Sequence, residues 1–310
     1  MTIGSGSNVE VSYIAEVTAG TTPATPAFQK LPISTESLIL SRDTLESEVL
    51  RADRQIADVI NGNKQVGGDV TGEARYGAFD GLIEAALGGT WTVDTPSVGT
   101  DQLKAGILRR SFTFERRHAD LATYFRSRGV EMAGLTIDRA ANALTTMAFN
   151  VVGLSQDSAT TPIAGSTYID PVTTAPMDGF TGTFTINGSS DACVTTANIA
   201  LDNGNEALFC IGSDSAIDQA QGKSRVTGSL GIYFEDLTAY ELFNAGTYFD
   251  LEIVMLDGAG NQYKIILPKI KYTSADTSIS GPDPLTYSYD ISAVYDETEL
   301  SNIVIERTPV

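Results

Sequence analysis

Alternation of apolar and polar residues predicts a strand at 66–76 with one dry face and one charged face. Val66 and Val70 fall on the first face, while Asp69 and Glu73 fall on the second. Successive side chains of a strand point to opposite faces, so a half-exposed strand shows this period of two. Shorter or similar patterns predict further strands. They lie at about 37–40, 111–116, 131–138, 144–154, 182–186, 197–201, 226–234, 249–256, 262–272 and 285–295.

Two short helices are predicted by apolar residues at spacings of three and four. The first spans 79–87 and is closed by Gly88 and Gly89, and the second spans about 237–244 and stops at Gly246. Glycine is common just after a helix because it adopts the left-handed conformation of the C-cap.

A faint internal repeat relates the two predicted helices and the strands before them. At an offset of 160 residues, seven positions match in kind: Asp58, Gly62, Val66, Gly68, Val70, Leu82 and Ile83 recur as Asp218, Gly222, Val226, Gly228, Leu230, Leu242 and Phe243. Each copy has a Gly-rich polar loop, then an alternating strand, then a short amphipathic segment. The chain is therefore predicted to contain two copies of one supersecondary unit.

Many strands with one helix per copy predict a mainly β protein with two tandem β-sandwich or open-barrel domains. Each copy has a long polar loop before its alternating strand, at 41–65 and at 202–225. Stretches rich in Gly, Ser, Thr and Pro mark the boundaries. The predicted division is an N-terminal arm at 1–27, a first domain at 28–155, a linker at 156–179, a second domain at 180–297 and a C-terminal arm at 298–310.

The charge of the chain argues against binding to nucleic acid or to an anionic membrane. There are 20 basic and 39 acidic residues, a net charge of −19. The excess is uneven, because residues 1–155 carry a net −4 and residues 156–310 a net −15. The N-terminus lacks the pattern of a signal peptide, and no apolar run is long enough to span a membrane. The sequence therefore predicts a soluble protein.

No motif in the sequence predicts catalysis. The only histidine, His118, lies in a polar run, and the two cysteines, Cys193 and Cys210, are expected to be reduced and mostly buried, with a disulfide as the alternative. Neither a zinc set nor a calcium loop is present. The Gly-rich stretch 67–77 lacks a phosphate-loop pattern, so its glycines indicate close packing or bulges. We therefore expect no enzyme activity and no cofactor.

Several stretches resemble the major tail tube proteins of long-tailed, non-contractile bacteriophages. The similar segments are 17–28 (VTAGTTPATPAF), 51–55 (RADRQ), 62–66 (GNKQV), 76–83 (YGAFDGLI), 207–209 (ALF), 222–228 (GKSRVTG) and 236–237 (DL). The resemblance covers nearly the whole chain, from Val17 to about Asp296. It implies a tube-forming β-sandwich or barrel flanked by a helix, which assembles into rings of six domains that stack into a hollow tube.

The resemblance also implies how this chain is used. With two tube domains per chain, three chains supply the six domains of a pseudo-sixfold ring. The implied partners are further copies of the chain, a tape measure protein and tail terminator or tip proteins, and DNA is expected to pass through the lumen without specific binding. The implied location is the tail of the virion, after assembly in the bacterial cytoplasm.

The long loop of each domain is expected to reach the neighbouring ring. The candidate inter-ring residues in the two loops are Asp43, Glu48, Arg51, Arg54, Asp58, Asn61, Asp214, Asp218 and Lys223. The polar strand faces are expected to line the channel, because an acidic wall does not hold the phosphates of DNA. The candidate lumen-lining acids are Asp69, Glu73, Asp250, Glu252 and Asp290.

Two alternatives stay open at this point. A tail terminator or baseplate protein on the same fold forms a single ring and does not polymerise. A β-rich carbohydrate-binding module or glycan hydrolase needs exposed aromatic platforms or a placed pair of carboxylates. Trp91 is the only tryptophan, which counts against the second alternative.

Overall fold

The computed structural model describes residues 3–190, 193–278 and 284–310 and shows a mainly β protein whose sheets are not closed. A 3-10 turn at Gly6–Asn8 precedes the first strand. The strands are β1 (Val9–Ala15), β2 (Ala27–Lys30), β3 (Ile33–Glu36), β4 (Ile39–Glu46), β5 (Val59–Glu73), β6 (Asp101–Lys104), β7 (Phe112–His118), β8 (Thr123–Ala140), β9 (Thr146–Gly153), β10 (Ser155–Ala159), β11 (Thr167–Ile169), β12 (Phe184–Ile186), β13 (Val194–Asp202), β14 (Glu206–Leu208), β15 (Asp218–Ala220), β16 (Arg225–Tyr233), β17 (Phe249–Leu256), β18 (Gln262–Asp276), β19 (Thr286–Ala293) and β20 (Val304–Thr308).

Both predicted helices are confirmed, together with their glycine caps. Helix α1 spans Asp80–Leu87 and α2 spans Thr238–Ala245. Gly88 and Gly246 follow them in the left-handed conformation, with φ of 64° and 61°. A side chain at either position strains the backbone, so the glycines end the helices where the sequence pattern predicts.

Most predicted strands are present, with shifted ends, but the interpretation of 41–65 as a loop is wrong at both of its ends. Residues 39–46 and 59–73 form the long hairpin β4–β5, and only 47–58 connect the two strands. All of β4 is exposed. A strand that is exposed on both faces needs no apolar alternation, so the sequence pattern does not reveal it. The predicted strand at 37–40 falls across the break between β3 and β4.

In the first half of the chain (β1–β11), four strands that are neighbours in space pair antiparallel and form the framework. β7 pairs with the N-terminal part of β8, the C-terminal part of β8 pairs with β9, and β9 pairs with β5. β3 and β4 lie on the far edge of β5. β8 has 18 residues and therefore reaches from one layer of the half to the other. α1 packs in the core between these strands, with Leu82 and Ile83 fully buried.

The second half of the chain (β12–β20) repeats this pairing strand by strand. β17 pairs with β18, the C-terminal part of β18 pairs with β19, β19 pairs with β16, and β13 lies on the far edge of β16. β18, with 15 residues, holds the place of β8. β20 pairs with the N-terminal part of β18, as β10 does with β8. The weak sequence repeat therefore corresponds to one arrangement of strands built twice.

Segments at the ends of the predicted domains pair with strands of their own chain. β1, from the predicted N-terminal arm, lies against β7, and β10 and β11, from the predicted linker, pair with β8 and β2. β20, from the predicted C-terminal arm, lies between β18 and β6 and so joins the two halves. The exact limits of domains, linker and arms stay predictions.

A buried polar cluster holds the 160–169 segment against the first half. Glu115 is fully buried and accepts hydrogen bonds from Arg126 Nε at 2.7 Å and from the Tyr168 hydroxyl at 2.5 Å. Arg126 Nη2 also donates to the Thr161 carbonyl at 2.7 Å. Burial, together with the bond to Glu115, raises the pKa of Tyr168 to about 12. The buried Glu115 carboxylate is therefore the shared acceptor for Arg126 and Tyr168.

Glu115→Ala is expected to destabilise the chain by about 3 to 5 kcal/mol, because it leaves the Arg126 guanidinium buried without its counter-charge. Urea unfolding followed by circular dichroism measures the change. The matched control is Glu10→Ala, which removes a half-exposed carboxylate that pairs with Lys30 and Arg117. Since exposed ion pairs contribute little, the control is expected to cost less than about 1 kcal/mol. Equal costs for the two variants contradict this account of the cluster.

Candidate functional site

One continuous polar face runs across strands of both halves. Cross-strand partners form a row of small side chains over six neighbouring strands: Thr71, Ala148, Thr136, Ala200, Thr227 and Ser292. The next row on the same face carries Glu73, Thr146, Asp138, Asn198, Ser229, Asp290 and Ser274. The opposite face of these strands is the core, where Val70, Phe149 and Leu230 are fully buried. The wall consists mostly of short polar side chains, and it also carries two basic residues, Lys271 beside Ser292 and Arg225 beside Asp202.

Three of the five acids that were predicted to line the lumen lie on this polar face, two on β5 and one on β19. Asp69 accepts from Asn150 Nδ2 at 3.0 Å, Asp290 accepts from Ser274 Oγ at 2.6 Å, and Glu73 pairs with Arg75 at 2.7 Å. Asp250 and Glu252 are not among them. They lie on β17, which pairs with the other part of β18, and the Glu252 carboxylate lies 3.0 Å from Lys264 Nζ.

Asp138 is an acid of the polar face that the sequence reasoning missed. It is exposed and accepts a hydrogen bond from Asn198 Nδ2 at 2.5 Å. Asp202 and Asp276 lie on the same face of β13 and β18. A signal was available for Asp138, because it ends the predicted strand at 131–138 two positions after Thr136. Its strand neighbour was not predictable, since β8 pairs with β13 of the second half.

The two halves join through main-chain hydrogen bonds between β8 and β13. Residues 134–140 of β8 pair with residues 196–202 of β13 in antiparallel register, so the polar face crosses from one half to the other without a gap. This junction is formed at the far edge of β13, whose other edge pairs with β16. β20 and β6 also pair across the halves, but β8 and β13 form the pair that continues the polar face.

Both ends of this sheet present an open edge that matches the internal junction. At one end, β3 and β4 pair only with β5 among the described residues, and residues 35–41 hold the place that 196–202 hold in β13. The correspondence includes a bulge, at Ile33/Thr35 and at Val194/Thr196. At the other end, residues 271–276 of β18 have β19 on one side and no described strand on the other, and 274–276 hold the place that 134–136 hold in β8. Unpaired edges are templates for pairing with another chain.

The hairpin β4–β5 projects from the first half and carries the predicted inter-ring residues of the first loop. Asp43 lies on β4 and Asn61 on β5, and both are exposed. Glu48, Arg51, Arg54 and Asp58 belong to the connection 47–58 and are also exposed. Several apolar side chains of the hairpin face solvent as well: Ile39, Leu45, Val49, Leu50, Ile56, Val59 and Ile60, with Leu50 99% exposed. An exposed apolar surface of this kind is typical of an interaction site.

The second predicted loop, 202–225, folds back onto the first half. It contains the short hairpin β14–β15. Asp214 lies 2.6 Å from Lys64 Nζ and 3.0 Å from Arg42 Nη2, at the base of hairpin β4–β5. The hydrogen bond from Lys64 holds the pKa of Asp214 below its usual value. The second loop therefore contacts the base of the first hairpin within one chain.

Two further residues of the second loop fix it to the first half. Asp218 pairs with Arg109 at 2.8 Å, and Gln219 is buried, with its Nε2 donating to the carbonyls of Gly129 and Val152 at 2.7 and 3.0 Å. The bond from Arg109 lowers the pKa of Asp218. Lys223, the last candidate of this loop, is exposed. These contacts join residues that lie 67 to 109 positions apart in the sequence, so they leave no local pattern.

The chemistry of the described residues gives no indication of a catalytic or metal site. Nowhere in 3–190, 193–278 and 284–310 do three or more His, Cys, Asp or Glu side chains cluster as metal ligands. His118 ends β7 and packs edge-on against Phe125. Cys193 and Cys210 are free thiols, and both are exposed, so the expectation that they are mostly buried is wrong. In the same part of the chain, no helix has the length and apolar content to cross a membrane.

The fold and this surface define a structural β protein that presents unpaired sheet edges and a projecting apolar hairpin. A family model described as phage tail tube protein matches residues 6–293, which is nearly the whole chain. The chain belongs to the phage tail tube protein family, whose role is structural. A search of curated proteins found no match. The family places the chain among the components of the virion tail.

Proposed function

We propose that the chain polymerises into stacked rings of three copies, which form the tube through which the phage genome leaves the virion. The observation that carries the proposal is the junction between β8 and β13. It joins two equivalent halves by main-chain pairing. The two outer edges of the same sheet, at β3–β4 and at β18, are strand edges of the same kind. If the junction repeats between chains in the same register, residues 39–41 of one copy, which hold the place of 200–202, pair with residues 274–276 of the next, which hold the place of 134–136.

The number of chains in the ring follows from the repeat. Each chain supplies two equivalent sheet units, so three chains supply the six units of a ring with pseudo-sixfold symmetry. The interface is heterologous, because one edge meets a different edge, and such interfaces close into rings when the rotation fits. The second half has a net charge of about four times that of the first, so the ring has alternating charge around its axis.

The polar face is proposed as the channel wall. It carries Asp69, Asp138 and Asp290, and its other side chains are mostly Thr, Ser, Ala and Asn. Duplex DNA carries one negative charge per ~1.7 Å of axis, and it binds to walls rich in Lys and Arg by releasing counterions. The acids of this wall outnumber its two basic residues, Lys271 and Arg225, so the wall repels phosphates more than it binds them. DNA therefore slides through without being held.

Hairpin β4–β5 is proposed as the connector between rings. In a ring closed edge to edge, the ends of the strands form two rims. The hairpin leaves one rim, and its apolar side chains become buried only when another ring covers them. Because the loop at 202–225 folds back, each ring offers three projecting hairpins and not six. A tape measure protein inside the tube and terminator or tip proteins at its ends are the further partners that we propose, with assembly in the host cytoplasm.

Electron microscopy of the concentrated, purified protein tests this function directly. Long tubes are expected. Single rings that do not stack favour a terminator or baseplate role, and monomers at high concentration contradict both. The carbohydrate-binding alternative has less support, because Trp91 packs under the Arg307 guanidinium, 4.5 Å from its ring centre, and donates its indole N–H to the Asp80 carbonyl at 3.4 Å. It is therefore no free aromatic platform.

A further inference from the structure

The two helices of the chain differ in how much of their surface is covered. Five of the eight residues of α1 are buried, whereas none of α2 is. Around α2, Leu237 is 55% exposed, Tyr240 40% and Phe234 37%. A cavity of about 230 Å³ lies beneath it, lined by Ala239, Leu242, Tyr272, Tyr287 and Tyr289 among others. At the repeat offset, Ala239 stands where the first half has the buried Phe79.

The cover over α1 comes in part from the second half of the same chain. The Tyr263 hydroxyl of β18 donates to the Asp80 carboxylate at the start of α1 and accepts from Gly77 N at 3.0 Å. Arg307 of β20 forms an ion pair with Asp80. At the other end of α1, Asn203 Nδ2 donates to the Ala86 carbonyl at 2.8 Å. The helix of one half is thus completed by the half that follows it across the β8–β13 junction.

We propose that α2 is completed in the same way by a second copy of the chain, at the end of its β7–β8 hairpin. The inference rests on the ring proposed above, in which the first half of the next chain follows the second half of this one. Tyr263 lies near the end of hairpin β17–β18, and the equivalent hairpin of the first half is β7–β8, which ends at His118 and Thr123.

Both surfaces have exposed apolar side chains with charged residues beside them. Glu235, Asp236 and Glu241 are exposed around the exposed apolar side chains at the start of α2. Arg116 and Arg117 at the end of β7 are paired within the chain, with Glu36 at 2.9 Å and Glu10 at 3.2 Å, and Leu121, in the turn after β7, is 42% exposed. The contact is therefore expected to rest on the exposed apolar side chains of the two surfaces and on the equivalence of hairpins β7–β8 and β17–β18.

The double variant Leu237→Arg/Tyr240→Arg tests the proposal. Its circular dichroism and thermal unfolding are expected to match the unmodified chain, because both side chains face solvent, while ring formation falls at least tenfold in size-exclusion chromatography with light scattering. The matched control is Val93→Arg/Val98→Arg, at two exposed apolar positions in the loop before β6. If the variant forms rings that do not stack, the adjacent ring covers α2. If the variant forms tubes as the unmodified chain does, no other copy covers α2. Either result overturns the proposal.

Disulfide trapping gives an independent readout. In a chain with Cys193→Ser and Cys210→Ser, Tyr240→Cys combined with Leu121→Cys is expected to give covalent dimers and trimers on oxidation. Val98→Cys with Leu121→Cys serves as control and is expected to stay monomeric under denaturing conditions. If the unmodified chain forms three-chain rings and Tyr240→Cys/Leu121→Cys does not cross-link, only the α2 contact is wrong. If the unmodified chain forms no three-chain ring, the proposed function fails first.

Discussion

Replacing residues 47–58 with an Asn-Gly turn is expected to give rings that do not stack into tubes. Glu46 and Val59 form the last pair of hairpin β4–β5, so a two-residue turn closes the strands without changing their register. The deletion removes the exposed Val49, Leu50 and Ile56 and leaves the contacts of Asp214 with Lys64 and Arg42 in place. Negative-stain electron microscopy counts tubes and rings.

A control for the hairpin deletion keeps the length of the connection. Val49→Ser, Leu50→Ser and Ile56→Ser together remove the apolar side chains but keep the backbone of 47–58. We expect this variant to form fewer and shorter tubes, with ring assembly unchanged, because burial of these side chains drives the contact. Tubes of normal length and number from the deletion variant contradict the role of the hairpin as connector.

Changing Asp69, Asp138 and Asp290 to Lys is expected to make the tube retain duplex DNA. Each ring of three then carries nine lysines on the proposed channel wall in place of nine acids. Every phosphate that a lysine neutralises adds about 0.9 to the slope of log K against log salt, so even a few contacts change affinity by orders of magnitude. Assembly in the presence of linear DNA, followed by nuclease digestion, measures the protected DNA as a function of salt.

The control for the lysine variant places the same charge elsewhere. Asp170, Glu206 and Glu297 are exposed and lie off the polar face, and their triple change to Lys gives the same net charge. We expect little nuclease-protected DNA from this control at physiological salt. Equal protection by both triple variants means that net charge decides DNA retention, and the polar face then has no special part in it.

The elements with a strong local signal were predictable from the sequence. Helices α1 and α2 follow from apolar spacing and from Gly88 and Gly246, and β5 and β19 follow from alternation over a dry and a wet face. Three acids of the polar face were found in the same way, since a strand with one buried face must expose the other. The interactions that form these elements are local, so the sequence of one short stretch is enough to predict each of them.

The features that depend on pairing between distant segments were not predictable. Hairpin β4–β5 has no buried face along β4, so its residues look like a polar loop. Asp214 and Gln219 hold the second loop down through partners in the first half, and nothing in the sequence around them indicates those partners. Asp250 and Glu252 alternate as the polar-face acids do, but the strand that carries them pairs with a different part of β18.

The repeat was visible in sequence only from the polar loop to the helix, where identical residues remain. The structure extends it to the order of pairing in both halves, including the bulges at Ile33/Thr35 and Val194/Thr196. The order of strand pairing depends on backbone hydrogen bonds and not on particular side chains. Two halves with different sequences therefore have the same order. The junction between β8 and β13 joins the two copies of the repeat within one chain, and we propose that the same pairing joins one chain to the next.

A three-dimensional reconstruction of assembled tubes tests the central claim most directly. We expect three chains per ring, with residues 39–41 of each chain paired antiparallel with residues 274–276 of its neighbour and with Asp69, Asp138 and Asp290 facing the channel. A ring of six chains, or a ring in which these two edges stay unpaired and the polar face lies outside, contradicts it.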